Sequence, residues 1–170
     1  MARQARVEEF TEYVASKSGW LRKVAYLLCG DWHRADDLVQ ETVTKLYVNW
    51  SRVSRVENLD GYTRRILVNT FLAEQRSPWW RRTIRSENGP DTTFCDVDLD
   101  ASLDLRRALA ALPPRQRATV VLRYYCDLSV DQAAEALGCS PGNVRSQSSR
   151  ALGTLRGNLT PRSAPAERTT

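Results

Sequence analysis

Between Ser129 and Arg156 the sequence sets out two short helices whose ends are fixed by local side-chain chemistry, and no other stretch constrains the fold as tightly. Ser129-Val130-Asp131-Gln132 is a capping box, in which the serine hydroxyl and the glutamine amide each accept from the other's backbone N–H. Ala133, Ala134 and Leu137 give a small apolar stripe, and Gly138 can take the left-handed conformation that ends a helix. Ser140 supplies a second N-cap, followed by Pro141 at the first helical position, where its missing amide proton is harmless. Only Gly138, Cys139 and Ser140 separate the helices, so the predicted unit is a helix-turn-helix.

On the second helix, at about 100° per residue, Val144, Ser148, Ala151 and Leu155 share one face, small and apolar enough to dock on the preceding helix. Asn143, Arg145, Ser146, Ser149 and Arg150 take the other. Guanidinium, amide and hydroxyl donors clustered near a helix N-terminus suit phosphate oxygens and base edges in a major groove. No acidic residue lies between Glu135 and Glu167, so nothing on this helix opposes its positive charge. An ordinary helical hairpin with a solvated polar face would carry the same apolar stripe; the charge favours DNA.

The chain has 170 residues and a formal net charge of +5, enough length for one medium domain or two small ones. No apolar run approaches membrane-spanning length and the N-terminus lacks the hydrophobic segment of a secretory signal, so a cytoplasmic protein without membrane insertion is expected. Cys29, Cys95, Cys126 and Cys139 lack the short paired spacings of a zinc knuckle. Cys29 and His33 amount to half a metal site, and neither a metal nor a cofactor is expected. Only three of the 25 basic residues are lysine, a bias that favours bidentate phosphate and guanine contacts and that a GC-rich genome would also produce.

Three zones follow along the chain. Residues 7–83 read as a small helical bundle: Phe10, Val14, Leu21, Val24 and Leu28 recur at helical spacing before Gly30. A second helix opened by Asp31 carries Ala35, Leu38, Val39, Val43, Leu46, Tyr47 and Trp50. A third begins near Asp60 as its cap and runs through Tyr62, Ile66, Leu67 and Leu72 toward Trp79 and Trp80. Residues 84–103 form an acidic linker, with no positive charge between Ser86 and Ser102, too polar to offset the entropy of ordering. Residues 104–157 return to helical periodicity and end in the helix-turn-helix, and residues 158–170 have the composition of a disordered tail. The expected fold class is all-α, two small helical domains joined by a flexible linker.

In this order and spacing the chain resembles an RNA polymerase sigma factor of the extracytoplasmic-function (ECF) type, in the sigma-70 family. The resemblance spans residues 7–157 and rests on three motifs. Asp36-Asp37-Leu38-Val39-Gln40-Glu41 is similar to the family's core-polymerase-binding motif, although helix-dipole stabilisation alone would account for Asp36 and Asp37. Tyr62 through Asn69 is similar to the promoter-melting helix, and Leu112-Pro113 through Arg150 to region four. The resemblance implies that Asp36, Asp37, Leu38, Val39, Gln40 and Glu41 bind core RNA polymerase. It implies that Arg52, Arg55, Asn58, Tyr62, Arg64, Arg65, Asn69 and Arg76 serve the minus-ten element, with Asn69 the foremost base-facing residue. A basic face with an interleaved aromatic also suits single strands on general grounds, since phosphates are neutralised while bases stack. Arg123, Ser140, Asn143, Arg145, Ser146, Ser149 and Arg150 are implied at the minus-thirty-five element, Arg123 being equally placed to pair with Asp127. The sequence departs from the commonest pattern at Tyr62, where tryptophan is usual, at Glu74, where aspartate often stands, and at Ser149, where a larger side chain is frequent.

The implied function is that of an initiation factor, with core polymerase and promoter DNA as partners and no catalytic centre of its own. An anti-sigma factor is a further partner the family allows, and the acidic linker is implied to run toward the positively lined RNA exit channel. A stand-alone repressor or activator would use the same helix-turn-helix as a dimer, but it gives the Asp36–Glu41 string and the basic third helix no role. A metal-dependent hydrolase is disfavoured because Asp36 and Asp37 point about 100° apart on a helix.

Overall fold

The computed structural model describes residues 1–77 and 99–159. Trp79, Trp80, most of the expected linker and nearly all of the expected tail lie outside the described residues. The elements are α1 (Ala2–Cys29), α2 (Trp32–Val53), α3 (Leu59–Arg76), α4 (Leu99–Ala110), α5 (Pro114–Val120), a π-helical turn (Val121–Tyr125), α6 (Val130–Leu137) and α7 (Pro141–Leu159). Among the described residues there is no strand, and no helix is long and apolar enough to cross a membrane.

Local chemistry sets the helix ends. Gly30 stops α1 at φ +75°, its N–H donating to the Tyr26 carbonyl at 2.7 Å. One residue on, the Asp31 carboxylate accepts from the Arg34 N–H at 3.0 Å and opens α2. The third helix starts differently from the sequence expectation. Asn58 is its N-cap, accepting from the Gly61 N–H at 2.8 Å, while Asp60 sits inside the first turn. Asp60 is drawn away by α1: Lys17 Nζ lies 2.7 Å from its Oδ2 and the Tyr13 hydroxyl donates to its Oδ1 at 3.0 Å. The tight cap explains the glycine, because a Cβ at Gly61 would come within 2.5 Å of the Asn58 amide.

In the C-terminal half, α4 begins at Leu99, inside the stretch read as linker. After α5 the chain widens into the π-helical turn, closed by Cys126 N–H on the Val121 carbonyl and Leu128 N–H on the Leu122 carbonyl. Asp127 follows at φ +53°, a left-handed residue that breaks the helix and delivers Ser129 to its capping position. The capping box on α6 is formed at both bonds, and Gly138 ends the helix at φ +62°.

The apolar residues make one interior that runs through both halves. Leu21, Val24 and Leu28 of α1, Leu38 of α2 and Leu67 and Phe71 of α3 join a cluster with Ala118, Leu122, Ala133, Leu137 and Val144. A second cluster, Leu109, Leu112, Val120, Ala151 and Leu155, holds α4 and α5 on α7. A third, at the far end of the bundle, packs Leu46, Trp50 and Val53 against Phe10, Tyr13 and Tyr62. The Phe10 and Trp50 rings meet edge to face, 5.1 Å apart.

Candidate nucleic-acid interface

Three exposed faces carry the residues singled out in the sequence. The first lies on α2, where the string from Asp36 to Glu41 divides by depth. Leu38 and Val39 are buried at 0% and 8% exposure, so they support the surface from below. Asp36 is bound to α1: Arg22 donates Nε to its Oδ1 at 2.5 Å and Nη2 to its Oδ2 at 3.2 Å. That bidentate contact holds the carboxyl below the usual aspartate range. The same guanidinium lies 4.5 Å from the Trp32 ring, which stacks on Tyr26 at 3.9 Å, so Asp36 ends a rigid aromatic ladder. Asp37, Gln40 and Glu41 face outward. Sequence reasoning missed the continuation of this stripe into Thr44 and Val48, the latter 75% exposed. The signal was there, since Val48 repeats the register of Asp37, Glu41 and Thr44 and so stands apolar on a polar face. Tyr47, expected in the core stripe, is half-exposed with its ring 5.0 Å from Phe10.

The second face is on α3. Tyr62, Arg65, Ile66, Asn69 and Thr70, together with Lys45 from α2, line an open cleft of about 400 Å³. Among the described residues no carboxylate lines it. Arg64, one residue before Arg65, points a different way: its guanidinium lies 5.3 Å from the Trp20 ring of α1, with Nε buried. Arg76 is exposed in the last turn of α3, outside the cleft. Arg52 and Arg55 are exposed before the helix, and Asn58 is exposed while its side-chain oxygen serves the cap. Lys45 was not foreseen, because on the sequence it reads only as a basic residue between Thr44 and Leu46.

The third face belongs to α7. Ser140 caps it, its hydroxyl accepting from the Asn143 N–H at 3.1 Å. Val144, Ser148, Ala151 and Leu155 are buried, and Asn143, Arg145, Ser146, Ser149 and Arg150 are exposed, as the helical spacing requires. Arg123, Tyr124, Arg145, Ser149 and Arg156 border a cleft of about 330 Å³ along this face. The Arg123 guanidinium donates to the Leu128 carbonyl and stands over the Tyr124 ring at 5.8 Å. Tyr124 and Arg156 were missed; Arg156 stands two helical turns after Ser149, on the same side.

Other chemistry is sparse. Burial pushes the Cys29 thiol up to about 12, which leaves it protonated and unreactive near neutrality. Among the described residues no group of three or more His, Cys, Asp or Glu side chains gathers at metal-binding distance. What the exposed faces offer is charge, hydrogen-bond donors and an aromatic ring at each of two open clefts.

Comparison with known proteins gives a consistent account. The family model for Sigma-70 region 2 matches residues 14–81, and that for Sigma-70, region 4 matches residues 102–155. The chain is 35% identical over 167 residues to an RNA polymerase sigma-E factor of Streptomyces avermitilis, covering 94% of this chain and 90% of that protein. It is 33% identical to the ECF RNA polymerase sigma factor EcfG of Rhodopseudomonas palustris, with 79% and 76% covered. Among solved structures it is similar to the sigma factor RpoE of Bartonella quintana, crystallised with the anti-sigma factor NepR. That similarity has a TM-score of 0.71 and 26% identity, covering 92% of this chain and 99% of the other.

Proposed function

Since this chain belongs to the sigma-70 family and is an RNA polymerase sigma factor of the ECF type, we propose that its three exposed faces divide the work of initiation among them. The α2 stripe of Asp37, Gln40, Glu41, Thr44 and Val48 binds core RNA polymerase, with Asp36 fixed by Arg22 and with Leu38 and Val39 as the packed support. The cleft on α3 takes the opened minus-ten strand: Arg65 neutralises phosphate, Tyr62 offers a stacking surface and Asn69 presents paired donors and acceptors to a base edge. The exposed face of α7 enters the major groove at the minus-thirty-five element, with Arg145 and Arg150 able to make bidentate contacts to guanine. Arg52, Arg55, Arg76, Arg123 and the α7 hydroxyls add contacts that position the backbone.

The chemistry of RNA synthesis then belongs to the polymerase, and the chain works beside it in the cytoplasm without a catalytic centre of its own. An anti-sigma factor is a further partner, supported by the likeness to a sigma factor solved with one. The observation that carries this reading is the cleft on α3, where an aromatic, two cations and an amide converge.

The test is reconstitution. Core polymerase lacking a specificity subunit, mixed with the purified chain and a promoter library, yields new transcripts, and Asn69→Ala loses opening while retaining duplex binding. Absence of any chain-dependent transcript, with polymerase association demonstrated, would exclude the reading.

A further inference from the structure

Lys45 stands between two of these faces. Its Nζ lies 2.7 Å from Glu41 Oε1, one turn back on α2, and donates to Thr70 Oγ1 on α3 at 3.0 Å. Glu41 belongs to the outward α2 stripe, whereas Lys45 is one of the two cations lining the α3 cleft. Thr70 is 3% exposed, so it fixes the ammonium at the cleft wall, next to Asn69 in sequence. The Lys45 and Glu41 side chains are 47% and 46% exposed, and an exposed i, i+4 pair of this kind is weak enough to be exchanged for a better partner. A compact ammonium on a flexible four-carbon stem can swing toward a phosphate without moving the backbone.

We propose that Lys45 is a further nucleic-acid-binding cation of the α3 cleft whose charge is held back by Glu41, so that the polymerase-facing stripe and the cleft share one ion pair. This rests on the reading of the cleft as a single-strand site. A cationic group of a partner that takes the Glu41 carboxylate removes the counter-charge from Lys45, and the freed ammonium then serves a phosphate in the cleft. Burial first, and the neighbouring Glu41 charge second, raise the Glu74 carboxyl on α3 above the usual glutamate range, which marks this helix gap as one where charges already compete.

The experiment uses the full chain and a labelled random-sequence single-stranded deoxyoligonucleotide, with anisotropy read across a salt series. Glu41→Gln binds about threefold tighter and its log–log salt slope steepens by about 0.7, the share of one phosphate on a single strand. Lys45→Gln leaves the free chain's slope nearly unchanged, because the ion pair already withholds that charge, and the double variant matches Lys45→Gln, the gain of Glu41→Gln being lost. Both side chains are exposed, and an unchanged thermal transition confirms that each variant is folded. In the polymerase-bound complex on a forked promoter, where the partner engages Glu41, Lys45→Gln flattens the slope by about 0.7. A gain from Glu41→Gln that survives in the double variant overturns the proposal, because simple removal of negative charge would then explain it. An unchanged slope for Lys45→Gln in the polymerase-bound complex overturns it too. If wild-type chain binds no single strand, alone or with polymerase, the cleft reading itself fails and takes the proposal with it.

Discussion

Arg117 of α5 donates to the Leu28 carbonyl of α1 at 2.7 Å, tying the last turn of the N-terminal bundle to the half that carries the helix-turn-helix. The same guanidinium donates to the carbonyls of Leu109, Ala110 and Leu112 at 2.8, 3.2 and 3.1 Å, and lies 5.9 Å from the Phe71 ring. The last carbonyls of a helix have no partners within it, and they sit at the negative end of the dipole. One arginine thus caps the ends of α1 and α4 together, using the five-donor fork that no other side chain has.

Arg117→Met keeps the apolar stem but strands those carbonyls. We expect a loss of about 2–3 kcal/mol in denaturant unfolding, from charge-assisted bonds removed and acceptors left unpaired. Arg117→Lys recovers only part, since a point charge cannot serve both helix ends. A loss no greater than that of the exposed control Arg107→Ala would contradict this account.

The Asp36 carboxyl, held low by the Arg22 contact, titrates below the ordinary aspartate range in the folded chain. A depressed folded pKa contributes stability that is present above the unfolded value, near 4, and is lost as pH falls through the folded value. Carboxyl NMR titration of the native chain checks the position of Asp36. Arg22→Gln should return it to the ordinary range and remove its part of the acid limb.

Glu74 behaves in the opposite sense, raised by burial and then by Glu41. A carboxyl with a raised folded pKa contributes stability in full below the unfolded value, and that contribution disappears as pH rises through the folded value. Glu74→Gln should therefore raise the melting temperature at pH 7 relative to wild type and leave it nearly unchanged at pH 4. Equal shifts at both pH values would mean that packing, and not ionisation, decides the effect.

Gly138 and Gly153 form a matched pair. A Cβ at either would meet nothing within 4 Å, but only Gly138 has a positive φ, of 62°. Gly138→Ala is expected to destabilise by about 1 kcal/mol through backbone strain alone. Gly153→Ala, in the exposed interior of α7, is expected to stabilise by about 0.5–1 kcal/mol. Thermal melts of the two variants should move in opposite directions.

The helix-turn-helix was legible because each of its boundaries is decided within four residues. Ser129, Gln132, Gly138, Ser140 and Pro141 need no distant partner to do what they do. The start of α3 was misread for the converse reason. Asn58 and Asp60 are both competent caps, and the choice between them turns on Lys17 and Tyr13, which reach Asp60 from far back in the chain. The π-helical turn has no local signature either, being set by how Leu122 and Leu128 enter the shared interior.

At the site, exposure followed periodicity on α7, where the apolar stripe is unbroken. It failed on α2 and α3 where a residue's direction depends on a neighbouring helix. Tyr47 turned outward, Arg64 is drawn onto Trp20, and Lys45 enters the cleft only because Thr70 lies across the gap. Helical phase assigns a face, and tertiary contact decides what that face touches.

The continuous interior has a consequence of scale. Two promoter elements centred about 25 base pairs apart are roughly 85 Å from one another along straight duplex. By contrast α1, the longest helix at 28 residues, measures about 42 Å. On the proposed function, touching both elements together would mean drawing the halves apart and wetting Leu67, Phe71, Ala133 and Leu137. Each Å² of apolar surface bared that way is unfavourable by about 25 cal/mol. On the proposed function, the spread posture is therefore one into which polymerase and DNA would pull the chain against the burial of that shared interior.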